Sequence, residues 1–244
     1  MVNSSLYDRL FNGRPALMGG SRRSNFMKLV NEKKAFLMSV FANLITQLGI
    51  TYYVMMNYNS NNNSNNKSST KNTIKTSTFY IIVIVQVAII FALALLPMPS
   101  WIKFLVFSIF SALWGVLFSD IQKSNDGNLI QMAIFGTMGI FGTMFLIGAL
   151  LLFFGIQLGF GMASFLFYSL LLLIIAQLVM MFAEAYSIYM KILSAIGLFI
   201  FSLYIIYDTN NILQRDYKGD FITASMDYYL DILNIFLNLT NLDQ

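Results

Sequence analysis

Residues 194–239 read SAIGLFIFSLYIIYDTNNILQRDYKGDFITASMDYYLDILNIFLNL, two apolar runs joined by the charged segment QRDYKGD at 214–220. Each run carries an aspartate within it, Asp208 in the first and Asp231 in the second. An ionisable side chain inside a hydrocarbon-spanning helix costs at least about 2.5–3.5 kcal/mol on insertion scales, so it needs a partner, a water path or a task. The connector is centred on Gly219, which lies 11 residues after Asp208 and 12 before Asp231. Equal spacing from the turn means equal depth. At about 1.5 Å per residue, both carboxylates fall within about 15 Å of the connector, and antiparallel helices bring them face to face.

The rest of the chain has the same character. Its 244 residues are 57% apolar and only 11% charged, with a mean hydropathy of +0.68, outside the range of soluble domains. The expectation is an all-α, polytopic membrane protein. A span needs roughly 20 apolar residues, and such runs occur at Ala35 to Met56, Thr78 to Leu96, Trp101 to Ser119, Leu129 to Phe154, Gly159 to Phe182, a sixth ending near Leu213, and Phe221 to Leu242. The reading is a seven-transmembrane-helix bundle over 35–242, whose last helix is amphipathic and either crosses or is re-entrant. The break between the fourth and fifth runs, Gly155 to Leu158, is weak. Residues 1–34 form a basic tail, and Asn57 to Ser77 a low-complexity Asn/Ser/Lys loop expected to be disordered. FGTMGIFGTM, with Gly136, Gly139, Gly142 and Thr143, reads as a close helix-packing seam.

Charge distribution sets the orientation. With the N-terminus cytosolic, the inner side holds seven basic tail residues plus Lys103, Arg215 and Lys218; the outer side holds Lys67, Lys71, Lys75, Lys123 and Lys191. The excess favours a cytosolic N-terminus. Sequons at Asn62 and Asn66 then lie in the outer loop. The net charge of +4 reflects these flanks and points to anionic headgroups; no aromatic-basic patch indicates nucleic acid.

There is no Cys and no His, which removes disulfides, thiol nucleophiles, Ser-His triads and His- or Cys-ligated metals or haem. Carboxylates are the groups left to titrate. Two of them in a poorly solvated site do not both ionise cheaply, so Asp208 and Asp231 are expected to share a proton and titrate as a unit. Protonated, the pair holds the last two helices together; ionised, it repels and offers oxygens to a cation. Calcium takes six to eight oxygen ligands, so the two aspartates with Asn210, Asn234 and water form a weak, transient site suited to a leak. Gln86, the polar side chain in mid-span two, is an auxiliary candidate for bonding to the pair, with a structural contact between helices as the preferred alternative. Asp227, four residues before Asp231 on the same face, is a further auxiliary and reads as solvated. No resident cofactor is expected.

The segments SAIGLFIFSLYIIYDTNNIL and ASMDYYLDILNIFLNL resemble the paired C-terminal signature of the Bax-inhibitor (transmembrane Bax inhibitor motif) family. The resemblance extends to KKAFLMSVFANLITQLGITYYV, PSWIKFLVFSIFSALWGVLFSD and NLIQMAIFGTMGIFGTM, covering roughly Lys34 to Leu242. It implies a seven-helix bundle, a calcium leak regulated by pH with Asp208 and Asp231 as sensor, suppression of cell death through lowered calcium stores, and residence in the endoplasmic reticulum, the Golgi or, for bacterial members, the plasma membrane. Some members place a Glu in the third span where this chain has Ser111, and span two here lacks an Arg or Lys. The alternative is a non-conducting regulator or scaffold acting on apoptosis proteins or other channels. An intramembrane aspartyl protease is disfavoured, because YYLD stands where that chemistry needs GxGD and no proline follows Pro99; no enzymatic activity is expected.

Overall fold

The computed structural model describes residues 22–63, 76–124, 127–182 and 188–242. Among these, every regular element is a helix: α1 (Arg22–Asn63), α2 (Thr76–Leu95), α3 (Ser100–Ser124), α4 (Gly127–Phe153), α5 (Phe160–Phe182), α6 (Ile188–Gln214) and α7 (Phe221–Leu242). Five are long and apolar enough to cross a membrane: α1, α3, α4, α5 and α6. The apolar part of α2, Ser77–Leu93, is shorter. The chain is a multi-pass, helical membrane protein.

Two expected boundaries move. α1 begins at Arg22, inside the segment read as a tail, and runs on to Asn63, inside the segment read as a loop. Once nucleated in the apolar span, a helix propagates into polar flanks because each added residue gains a hydrogen bond for little further ordering. Asn62 therefore sits in the last turn of α1, while Asn66 lies outside the described residues. The break between α4 and α5 is sharp. Gly155 adopts a left-handed φ of +83°, its N–H bonds the Leu152 carbonyl at 2.9 Å, and the Ile156 N–H bonds the Leu151 carbonyl at 2.8 Å, a Schellman ending that stops the helix at its glycine.

Contacts fix which ends meet. At one end, Lys33 near the start of α1 donates to the Arg215 carbonyl at 2.7 Å, and Phe26 packs edge-on against Phe153 at the end of α4. At the same end, Lys103 of α3 pairs with Asp220 at 2.5 Å. α7 then runs back through the bundle: Tyr228 lies beside Thr209, and Asn238 against Gly197 near the start of α6. With 22 residues, about 33 Å at 1.5 Å each, α7 is one continuous antiparallel partner of α6. The re-entrant form is not adopted.

α7 is amphipathic in sequence yet central in space. Ser225, Tyr228, Tyr229, Asp231, Asn238 and Thr240 are all buried, together with Ile222, Leu233, Ile235 and Phe236. It packs on α6, α1, α4 and α3, so its polar side chains find partners on those helices.

The close approaches lie elsewhere than the expected seam. A Cβ on Gly139 or Gly142 would meet nothing within 4 Å, and one on Gly136 only a Leu239 methyl at 3.1 Å. Backbones touch instead at Gly115, whose Cβ would lie 2.6 Å from the Thr51 carbonyl, and at Gly148, whose Cβ would lie 2.7 Å from the Ile206 carbonyl and 2.8 Å from Thr209 Cβ. Spacing of small residues showed that helices pack closely, but not which glycine faces a neighbour. Gly148→Leu should separate α4 from α6 and cost about 1–3 kcal/mol, read as a lowered thermal midpoint in detergent, whereas Gly139→Leu should leave the midpoint unchanged.

The α6–α7 connector supplies a second prediction. Asp220 caps α7, accepting from the Thr223 N–H at 3.1 Å and its hydroxyl at 2.8 Å. Burial alone would raise its carboxyl, but the hydrogen bonds from Lys103 and Thr223 and the Lys103 charge outweigh it and hold the group below its ordinary value of 3.8. A depressed carboxyl stabilises the fold above its ordinary value, and that contribution is lost as pH falls through the depressed one. Asp220→Ala should therefore cost about 1–2 kcal/mol at neutral pH, and its difference from wild type should shrink in thermal melts below pH 4.

Candidate functional site

Asp208 on α6 and Asp231 on α7 retain 9% and 4% of their exposure, and their carboxyl groups lie within hydrogen-bonding reach of each other across the helix interface. Antiparallel pairing through a short connector puts them level, as their spacing from Gly219 requires. An ionised carboxylate only accepts hydrogen bonds, so two carboxyls in contact need a proton between them. Asp231 Oδ2 is buried and meets no donor from any other group. A buried acceptor left without a donor is costly, by about 1–3 kcal/mol, and a proton carried by the pair would remove that cost.

The surroundings of the pair are closely packed. Thr209, next to Asp208, accepts from the Tyr228 hydroxyl at 3.0 Å. The Tyr228 ring stacks on Phe41 of α1 at 6.1 Å and meets Phe141 of α4 edge-on at 5.3 Å. Gly148 brings the α4 backbone directly against Thr209. On its other side α7 joins a buried polar network. The Asn43 amide donates to Ser225 at 2.5 Å, the Gln47 amide to Asn43 and to Ser108 at 3.3 Å, and the Ser111 hydroxyl to Gln47 at 2.9 Å. Thr51 donates to backbone carbonyls at 3.0 Å, so the Tyr229 hydroxyl at 2.6 Å donates to it. α7 is thus fixed to α1 and α3 on one face while its other face carries Asp231 to α6.

Toward the connector, Asp227 is half-buried and bonded to the Tyr217 hydroxyl. It is a neighbour of Asp208 and not simply solvated. Burial, then the negative charges of Asp227 and Asp208, push the Tyr217 hydroxyl up, so Tyr217 stays protonated and donates. Nothing in a YxG turn or a YY pair marks the contacts of Tyr217, Tyr228 and Thr209 in the sequence. The Asn43, Gln47, Thr51 stripe was readable: polar residues every fourth position on an apolar helix.

The auxiliary candidates go elsewhere. With its amide oriented to place the oxygen toward Trp114, Gln86 of α2 accepts from the Trp114 indole at 3.3 Å, an α2–α3 contact apart from the pair. Asn210 binds the α4–α5 connector, donating to the Ile156 and Gly148 carbonyls at 3.0 and 3.5 Å and accepting from Leu158 N–H at 2.9 Å and from Gln214. That use occupies both ends of its amide. Asn234 donates back to the Leu230 carbonyl of its own helix at 2.8 Å. Among the described residues, no group of three or more acidic side chains is placed to hold a metal ion. The oxygens gathered at one point are those of Asp208 and Asp231.

Comparison with known proteins identifies the family. The family described as "Inhibitor of apoptosis-promoting Bax1" matches residues 33–242, which include all the site residues named above. Bax inhibitor 1 of Schizosaccharomyces pombe is 24% identical over 207 residues, 85% of this chain and 75% of that protein. Protein LIFEGUARD 1 of Arabidopsis thaliana is 35% identical over 78 residues, 32% of this chain and 33% of its own length. The Golgi anti-apoptotic protein of Vaccinia virus (strain Lister) is 36% identical over 77 residues, 32% of each chain. The latter two alignments each span about a third of the relative's length. A helical membrane bundle matched by the family over nearly all its described residues leaves one assignment: the chain belongs to the Bax inhibitor family.

Proposed function

We propose that the chain is a proton-regulated calcium leak that lowers the content of an intracellular store and thereby suppresses cell death, the last of these being what the names of its relatives say of them. The observation that carries this reading is the contact between the Asp208 and Asp231 carboxyls inside the bundle. With a shared proton, the pair links α6 to α7. Without it, two like charges a hydrogen-bond length apart repel strongly in a weakly solvated site, and α6 and α7 are pushed apart where only side chains hold them. The same ionised oxygens are hard ligands for calcium, too few for the six to eight that tight binding takes. A site that binds weakly lets the ion leave, as conduction requires.

This is passive transport and not an enzymatic reaction. The presence of a Golgi anti-apoptotic protein among the relatives supports an endomembrane location, in the endoplasmic reticulum or Golgi, with the basic start of α1 and the α6–α7 connector on the cytosolic side. The partners are calcium, protons and the bilayer.

The test is calcium flux through purified protein in liposomes between pH 5.5 and 8. Wild type should leak more as pH rises, by about tenfold or more across that range for a single proton lost. Asp208→Asn and Asp231→Asn should flatten the dependence. Absent or pH-independent flux from folded protein would contradict the leak and leave a non-conducting regulator of apoptosis proteins or other channels.

A further inference from the structure

The α6–α7 connector contains one large apolar side chain, Tyr217, in the sequence QRDYKGD. A tyrosine in a charged turn ordinarily faces water, but this one is held on three sides. Its ring lies 5.7 Å from that of Phe36 on α1, tilted by 31°. The Arg215 guanidinium sits 5.6 Å from the ring centroid. Its hydroxyl bonds Asp227 on α7. The turn is shaped to aim it there: Lys218 and Gly219 both have left-handed backbones, at φ +51° and +82°, and the Asp216 carboxylate accepts from the Lys218 N–H at 2.8 Å. Lys33 grips the Arg215 carbonyl on one flank, and Lys103 grips Asp220 on the other.

Asp227 and Asp231 are four residues apart, stacked on one face of α7 about one turn from each other. Asp227 therefore stands between the pair and the connector end of the bundle, and Tyr217 stands on Asp227. We infer that Tyr217 is a stopper: solvent and cations reach Asp208 and Asp231 from the connector end only when its ring leaves Phe36 and Asp227. Asp227 then has two roles in sequence, a latch for the tyrosine hydroxyl while closed and the first carboxylate met by an entering cation once open. The inference deepens the proposed leak and rests on the same pair, but access to the pair is measurable without any ion flow.

The absence of cysteine from the chain makes an introduced thiol unique. Asp231→Cys in nanodiscs should react slowly with a small cationic methanethiosulfonate reagent, and adding Tyr217→Ala or Phe36→Ala should accelerate it by about tenfold or more, the ratio for a local opening made about 1.4 kcal/mol easier. Tyr217→Phe, which keeps the ring, should accelerate it less. Asn238→Cys, at the far end of α7, should react at the same rate in every background, separating local opening from general loosening. If Tyr217→Ala does not fold, Phe36→Ala and Tyr217→Phe carry the test. Unchanged Asp231→Cys reactivity, or equal acceleration at Asn238→Cys, overturns the stopper. Accelerated labelling without calcium flux in Tyr217→Ala sustains the stopper and overturns the leak.

Discussion

Two carboxyl groups buried against each other between neighbouring helices place a demand on everything around them. An unpaired ionised carboxylate in such a place is worth several kcal/mol of instability, comparable with the whole stability of many domains. The contact is tolerable if a proton is shared and if the helices cannot drift. The bundle meets the second condition directly. Gly148 lets the α4 backbone lie against Thr209, Tyr228 ties Thr209 to α7 and fills the space toward Phe41 and Phe141, and Asn43, Gln47, Thr51 and Ser111 anchor the opposite face of α7. The pair is a place between α6 and α7 where a change of charge alters the balance.

This explains the odd character of α7. It is the least apolar of the helices after α1 by composition, yet the most enclosed, because its hydroxyls, amides and carboxyl face partners on four other helices. A lipid-facing helix needs apolar side chains all round its outer surface, while a central one needs only that its polar groups be satisfied. α5 shows the converse, with Phe165, Phe167, Tyr168, Leu171 and Leu172 exposed as a surface for hydrocarbon.

Much of this was legible in sequence for physical reasons. Long apolar runs specify membrane helices, and the symmetric placement of Asp208 and Asp231 about Gly219 specified their level. The Schellman ending at Gly155 was hidden because a single glycine between two apolar runs does not reveal its φ. The polar continuation of α1 to Asn63 was misread because composition governs solvation, whereas helix propagation depends on what precedes it. Asn210 was drawn toward the pair by its polarity, but an amide bonds whatever lies nearest, here the α4–α5 connector; Gln86 makes the interhelical contact expected of it, to Trp114. Tyr217 escaped notice since its role arises from two left-handed residues after it.

The central claim is that Asp208 and Asp231 hold one proton between them in the closed bundle. Infrared spectroscopy of the protonated-carboxyl C=O stretch, on wild type and on Asp208→Asn and Asp231→Asn at neutral pH, addresses it most directly. The account predicts one buried carboxylic-acid band in wild type, slow to shift in heavy water and lost in either variant, where the asparagine amide supplies the donor instead. No such band in wild type, or a band unchanged in both variants, would contradict it.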